Sequence, residues 1–174
     1  MPNRLEQWKL AQEERRLATL RRLGVMDTPR EERFDAIARL LARDFDVPMA
    51  MISLLDDRRA WFKSRVGLDP DEVPRDITFC AHALDESHIL VVEDALLDPR
   101  FAHNPLVTGE PGIRFYAGAV IRSPDREPLG AVCIMDRRPR HLGYPERRQL
   151  IDLAGHVGRE MATFSLAPKA DPAD

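Results

Sequence analysis

A chain of 174 residues, 44% hydrophobic and 32% charged, is long enough to bury a substantial core and too apolar for general disorder. Its formal net charge is −3, with basic and acidic residues interleaved, so no nucleic-acid footprint stands out. No run approaches the ~18 apolar residues of a membrane span, the first ten residues lack a signal-peptide core, and Cys80 and Cys133 do not make a secreted disulfide framework. The expectation is one cytoplasmic domain with tails and no membrane partner.

Residues 4 to 23 favour helix, with Leu10, Leu17, Leu20 and Leu23 along one side and Glu13, Glu14, Arg15 and Arg16 opposite. Gly24 can stop it. The stripe packs on its own domain or meets another subunit. Asp27 or Thr28 then caps a second helix, with Pro29 in its first turn and Phe34, Ile37, Ala38 and Leu41 as its buried side, ending near Asp46. Val47 to Leu55 and Ala60 to Val66 read as a hairpin across the charged turn Asp56-Asp57-Arg58-Arg59. On its second strand, alternation puts Trp61, Lys63 and Arg65 on one face and Phe62, Ser64 and Val66 on the other.

Gly67 to Arg75, with Pro70 and Pro74, reads as a loop, Thr78 as the cap of a short helix through Asp85, and His88 to Glu93 as a strand. From Asp94 to Gly112 the chain makes a long excursion: Asp98-Pro99-Arg100-Phe101 suggests one helical turn, while Asn104-Pro105 and Gly109 to Gly112 break structure. A connection of this length in a compact domain is more often a binding loop or lid than filler. Tyr144 onward is an amphipathic helix built on Leu150, Leu153, Ala154, Val157, Met161 and Phe164, and Pro168 to Asp174 reads as a mobile tail.

The centre is the pair of strands Ile113 to Arg122 and Pro128 to Asp136, joined by a polar turn at 123–127. Both faces are apolar. Ile113, Phe115, Ala117, Ala119 and Ile121 point one way and Tyr116, Gly118 and Val120 the other. An antiparallel sheet covered on both sides implies an α+β fold with helices on one face and long connections on the other. The small residues Ala117, Gly118, Ala119, Gly130 and Ala131 either admit a helix closely or floor a cavity.

The succession LGVMDTPREERFD, DVPMAMISLLDD, WFKSRVGL, ITFCAHAL, VVEDALLDPRF, GIRFYAGAVI and LGAVCIMDRRPR closely resembles bacterial GAF domains that accompany histidine kinases and diguanylate cyclases. The likeness runs unbroken over about residues 20 to 160, and it is less specific for ligand than for fold. It implies a five- or six-stranded antiparallel sheet, with the terminal and second helices on one face. On the other it implies a small-molecule pocket roofed by residues 67–88 and 94–112. It divides the chain into an N-terminal helix at 1–23 that can serve dimerisation, the GAF domain at 24–166 and a tail at 167–174. The resembling sequences usually continue into a kinase or cyclase, whereas no output domain follows Phe164. The expected partners are therefore a small ligand, a second copy, and a histidine kinase or diguanylate cyclase, acting in trans if the chain is the full product and covalently joined if it is an excised piece.

Candidate pocket residues are Trp61, Phe79, Phe101, Phe115 and Tyr116 as an apolar wall, with Cys80, His82 and Cys133 beside it. Arg65, Arg75 and Arg114 are candidates for holding an anion, against a plainer reading as surface ion pairs with Asp76, Asp94 or Asp98. A metal site could draw on Cys80, His82 and Cys133 with Asp136 or His103, but two residues apart on a helix is poor geometry for chelation, so no metal is expected. His82, His88 or His103 could supply a haem axial ligand within the aromatic wall, though aromatics at strand spacing are more often core. No cofactor is identified, and the bilin-attachment and cyclic-nucleotide patterns of GAF relatives are not evident.

The resulting expectation is a non-catalytic sensor that binds a small molecule and signals through its terminal helices. The alternative is a thiol reductase or redox sensor, because some GAF proteins reduce free methionine sulfoxide with pocket cysteines. It requires Cys80 and Cys133 to meet, and those enzymes usually carry a third cysteine. A further alternative is a structural dimerisation module whose pocket is filled by side chains.

Overall fold

The computed structural model describes residues 1–166; the tail expected at 167–174 lies outside them. The helices are α1 (Arg4–Leu23), α2 (Glu32–Asp44), α3 (Phe79–Ala83), α4 (Pro105–Thr108) and α5 (Tyr144–Ala162). The strands are β1 (Met49–Leu55), β2 (Arg59–Val66), β3 (Glu72–Pro74), β4 (Ile89–Val92), β5 (Phe115–Arg122) and β6 (Pro128–Asp136). They form one antiparallel sheet in the order β3-β2-β1-β6-β5-β4. The two expected hairpins, β1–β2 and β5–β6, are thus joined at the middle of the sheet by β1 against β6.

Both faces of this sheet are covered. On one, α2, α5 and the last turns of α1 cover Ala50, Ile52, Leu54, Phe115, Ala117, Ala119, Ile121, Val132 and Ile134. On the other, α3, α4 and their connections cover Met49, Met51, Leu55, Phe62, Tyr116, Ala131, Cys133 and Met135. Alternation along β5 therefore divides its side chains as expected from Phe115 onward. Ile113 departs from the pattern, because it precedes the strand and joins the second layer.

Local chemistry explains the ends of α1. Asn3 accepts from the Glu6 N–H while Glu6 accepts from the Asn3 N–H, a reciprocal cap. Gly24, at φ 67°, closes the other end in the left-handed conformation. The second helix starts later than expected, at Glu32. Thr28 is otherwise engaged: its hydroxyl donates to the Val25 carbonyl and accepts from Lys63. Asp27 sits at φ 61° with its carboxylate on Arg59.

Two further departures have identifiable causes. The loop expected at 67–75 contains β3, which adds an edge strand to β2 and ends at Pro74, a residue tolerated at an edge. Asn104-Pro105, expected to break structure, begins α4 instead. Asn104 Oδ1 accepts from the Leu106 N–H, and proline suits a first helical turn.

On β2 simple alternation fails at a bulge. Ile52 pairs with Ser64 but Ser53 pairs with Phe62, leaving Lys63 as an extra residue. Lys63 and Ser64 consequently both turn toward α2 and the segment before it. Lys63 Nζ donates to Thr28, to the Pro29 carbonyl and to Glu31, while Ser64 donates to Asp35. Arg65 is thereby released to the opposite loop, where it binds the carbonyls of Leu68 and Asp69. Lys63 is 1% exposed. A buried ammonium survives only with such a set of acceptors.

Arg16 of α1 is buried and donates to the Leu55 carbonyl at 2.7 Å. Glu13, one turn earlier, receives both Arg16 and Arg75, the latter at 2.5 Å. The Arg16 hydrogen bond, aided by Arg75 and opposed by partial burial, holds the Glu13 carboxyl down at about 2. A depressed carboxylate contributes stability that is complete above its unfolded value of about 4.5 and is lost as pH falls toward 2. Glu13→Gln is therefore expected to lower the melting temperature at pH 7 by about 3 °C, corresponding to about 1 kcal/mol after solvent screening. Thermal denaturation across pH 7 to 2 should show the gap between variant and wild type closing below about 4.5; a constant gap would contradict the ion-pair account.

Candidate functional site

The layer opposite the helices encloses a partly open cavity of about 290 Å³, at the small end of ligand pockets. Its floor is the sheet: Met51 of β1, Phe62 of β2, Tyr116 of β5 and Met135 of β6. Leu68, Pro70 and Val73 form one wall, Thr78, Phe79 and Cys80 a second, and Leu106, Pro111 and Ile113 a third. Charge is confined to Asp69, Glu110 and Arg137, all exposed. Arg137 donates from Nε to the Pro111 carbonyl.

At the base of this cavity lies a buried cluster of two thiols and a phenol. Thr78 caps α3 by accepting from the Cys80 N–H, which fixes Cys80 at the inner end of the short helix. Cys133 projects from β6 directly beneath it, and the sulfurs are 3.2 Å apart. Both cysteines are free. Tyr116 donates to Cys80 at 3.3 Å and lies 3.4 Å from the Cys133 sulfur. Its ring can lie there because residue 118 is glycine: a Cβ at Gly118 would sit 2.1 Å from the Tyr116 oxygen. The Ser53 hydroxyl is buried near the Cys80 sulfur and has no hydrogen-bond partner among the described residues.

These contacts separate the two thiols chemically. The hydrogen bond with Cys133 lowers the Cys80 thiol to about 7 against its burial, with further help from Tyr116. Burial pushes Cys133 well above the usual thiol range, and the neighbouring Cys80 adds to it. The two shifts have opposite signs because the pair accepts one negative charge readily and a second only at high cost, with no water to screen it. Burial, then the two sulfurs, raises the Tyr116 phenol too, leaving it a neutral donor.

Of the residues singled out in the sequence, Phe79, Cys80 and Tyr116 line the cavity and Cys133 lies against them. Phe101 stands behind, stacked on Phe79 at 4.2 Å, and His82 packs edge-on against Phe101 rather than facing the sulfurs. Trp61 and Phe115 do not belong to this wall. Strand alternation places both in the helix-side core, on the face opposite Phe62 and Tyr116.

The three arginines expected to hold an anion are engaged with carboxylates instead. Arg65 pairs with Asp71, Arg75 with Glu13 and Arg114 with Asp94. For Arg114 the plainer ion-pair reading named the right partner. Sequence reasoning missed Met51, Phe62, Met135 and Arg137. The parity that puts Tyr116 on the cavity face also puts Met135, its cross-strand partner, there; nothing local in the sequence marks Arg137. Among the described residues, no three His, Cys, Asp or Glu side chains gather in a metal-holding group, and no helix is long and apolar enough to cross a membrane.

The GAF domain model matches residues 29–161, and the chain belongs to the GAF domain family. A cyclic di-GMP phosphodiesterase of Pseudomonas aeruginosa is 43% identical over 128 residues, covering 74% of this chain. The chain spans 22% of that relative's length. Among solved structures, the GAF domain of a phosphoenolpyruvate-protein phosphotransferase from Coxiella burnetii aligns with a TM-score of 0.64 at 19% identity, over 86% of this chain and 94% of that one. A free methionine-R-sulfoxide reductase from Neisseria meningitidis, in complex with its substrate, aligns with a TM-score of 0.63 at 17% identity, over 91% and 92%. These structural likenesses establish the six-stranded fold.

The thiol arrangement has a measurable consequence. A small thiol reagent such as methyl methanethiosulfonate is expected to modify Cys80, which borders the cavity, before Cys133, with a rate that rises with pH about a midpoint near 7. Tyr116→Phe removes a hydrogen bond to the thiolate and should move that midpoint upward. Equal labelling of both cysteines would contradict the assignment.

Proposed function

We propose that this chain is the sensory domain of a signalling protein, without catalytic activity of its own, and that its cavity binds a small molecule. The observation that carries this reading is the cavity itself: an apolar floor from four of the six sheet strands and walls from the connections over them, with charge confined to the rim. Such a site suits a ligand with an apolar body whose charged end meets Arg137, or Asp69 and Glu110. The phosphodiesterase relative supports an output in cyclic dinucleotide turnover, and the resemblance to domains accompanying histidine kinases and diguanylate cyclases supports a signalling enzyme as partner.

Contacts between the cavity wall and α1 favour this helix as the route outward. Arg75 begins the turn that leads directly to Thr78 and Cys80, and it is held by Glu13. Ligand binding shifts α1 to the extent that the ligand prefers one position of this wall over another. The first turns of α1 leave Leu5, Trp8 and Leu10 more than half exposed, which suits pairing with a second copy. Light scattering is expected to show a homodimer that Trp8→Glu converts to a monomer; a wild-type monomer at high concentration would remove the dimer from this reading.

The cavity reading is tested by native mass spectrometry of freshly purified protein, followed by thermal-shift screening of metabolites. A ligand at a hundred times its Kd is expected to stabilise the domain by about 2.7 kcal/mol, a rise of about 5–10 °C. Met135→Trp, which fills the cavity from its floor, should abolish the shift while leaving the domain folded. A shift that survives this substitution would place binding elsewhere.

A second reading, a thiol reductase acting on methionine sulfoxide, is favoured by the 3.2 Å approach of Cys80 and Cys133. Turnover of free methionine sulfoxide with dithiothreitol, lost in Cys80→Ser, would support it. Equal rates in the two proteins would eliminate it.

A further inference from the structure

Two buried thiols are in contact beside the cavity, and one of them, Cys80, forms part of its wall. Cys80 lies on α3 and Cys133 on the central strand β6, 53 residues apart in the chain, and their sulfurs are already within 3.2 Å. The neighbouring side chains are suited to thiol chemistry. Tyr116 donates to the Cys80 sulfur, and Ser53 holds an unpartnered buried hydroxyl beside it. Cys80 also forms part of the wall of the partly open cavity, which is the side from which a molecule the size of water would approach it.

We propose that Cys80 and Cys133 are a peroxide-sensitive modification site that forms a reversible disulfide within the chain. Cys80 attacks first, because it is the thiol that faces the cavity. Its sulfur displaces one oxygen of hydrogen peroxide: an S–O bond forms, the O–O bond breaks, and the departing hydroxide takes the Cys80 proton to leave as water. The Tyr116 hydroxyl, already bonded to the Cys80 sulfur, and the unpartnered Ser53 hydroxyl are the groups at hand to hydrogen-bond the sulfenic oxygen. Cys133 then attacks the Cys80 sulfur, the S–S bond forms as the S–O bond breaks, and the hydroxide leaves with the Cys133 proton as a second water. Two thiols are oxidised by two electrons and one peroxide is reduced to two waters. A small-molecule dithiol returns the pair to the reduced state.

Bond formation draws the sulfurs together by roughly 1 Å, to the ~2.05 Å of a disulfide. That movement pulls α3 onto the sheet and takes from Tyr116 the thiolate it serves. The Thr78-to-Cys80 wall of the cavity moves with it. Formation of the disulfide requires no ligand in the cavity, so it is tested on the ligand-free chain and the two ideas stand or fall separately.

The test uses the full chain, treated with hydrogen peroxide, alkylated under denaturing conditions, digested with trypsin and analysed by mass spectrometry. The expected result is a linked pair of peptides, 76–100 carrying Cys80 and 127–137 carrying Cys133, lighter by two hydrogens than their sum and separated by dithiothreitol. In Cys133→Ser, Cys80 should instead be trapped as a dimedone adduct; should that variant fail to fold, the wild-type peptide map decides alone. Two free thiols after a treatment that oxidises surface methionines would overturn the proposal. So would a sulfinic acid on Cys80 beside a free Cys133, or a disulfide between two chains.

Discussion

The structure depends on a sheet that is buried on both faces. With both faces covered, every backbone amide of β1, β5 and β6 must find its partner along the ladder, because an unpaired buried amide costs about as much as a lost hydrogen bond. This sets the register, and register sets the division of labour among side chains. Phe115, Ala117, Ala119 and Ile121 are committed to the helices, and Tyr116, Cys133 and Met135 to the cavity. A slip of one residue would exchange the two sets.

The same sheet explains why the two faces differ in character. Ala117 and Ala119 are small enough for α5 to pack closely over β5, making a solid layer. On the other face the covering elements are short: α3 has five residues, α4 four, and the rest is turn and loop. Short elements leave gaps that long helices do not, and the cavity is the gap left between three of them. Within it, Gly118 makes room for the Tyr116 ring, and that ring brings its hydroxyl to the two sulfurs. One missing Cβ therefore permits the thiol cluster to assemble.

Charge is handled differently in the two layers. The helix side contains a buried ammonium, Lys63, satisfied by Thr28, the Pro29 carbonyl and Glu31. Its acceptors come from the segment between α1 and α2, so the β2 bulge also anchors that connection. The arginines around the cavity are mostly neutralised by local carboxylates, and Arg137 at the mouth makes its hydrogen bond to a carbonyl. At the junction of the layers, Glu13 ties α1 to the start of the cavity wall through Arg75.

Much was legible in the amino-acid order by itself. Periodicity of 3.6 marked α1, α2 and α5, and alternation with turn residues marked both hairpins. The parity of β5 already separated Phe115 from Tyr116, since side chains on a strand must alternate. Local rules failed where a residue's behaviour is decided by a distant partner. Thr28 is a good cap in isolation but is taken by Lys63, 35 residues away, and the bulge that redirects Ser64 and Arg65 exists only once β1 and β2 pair. Trp61 has the chemistry of a pocket wall, yet its strand turns it to the helices. The approach of Cys80 to Cys133 was conceivable from composition, but chain order holds no distance between residues 53 positions apart. Only the packing of α3 against β6 decided that the two sulfurs touch.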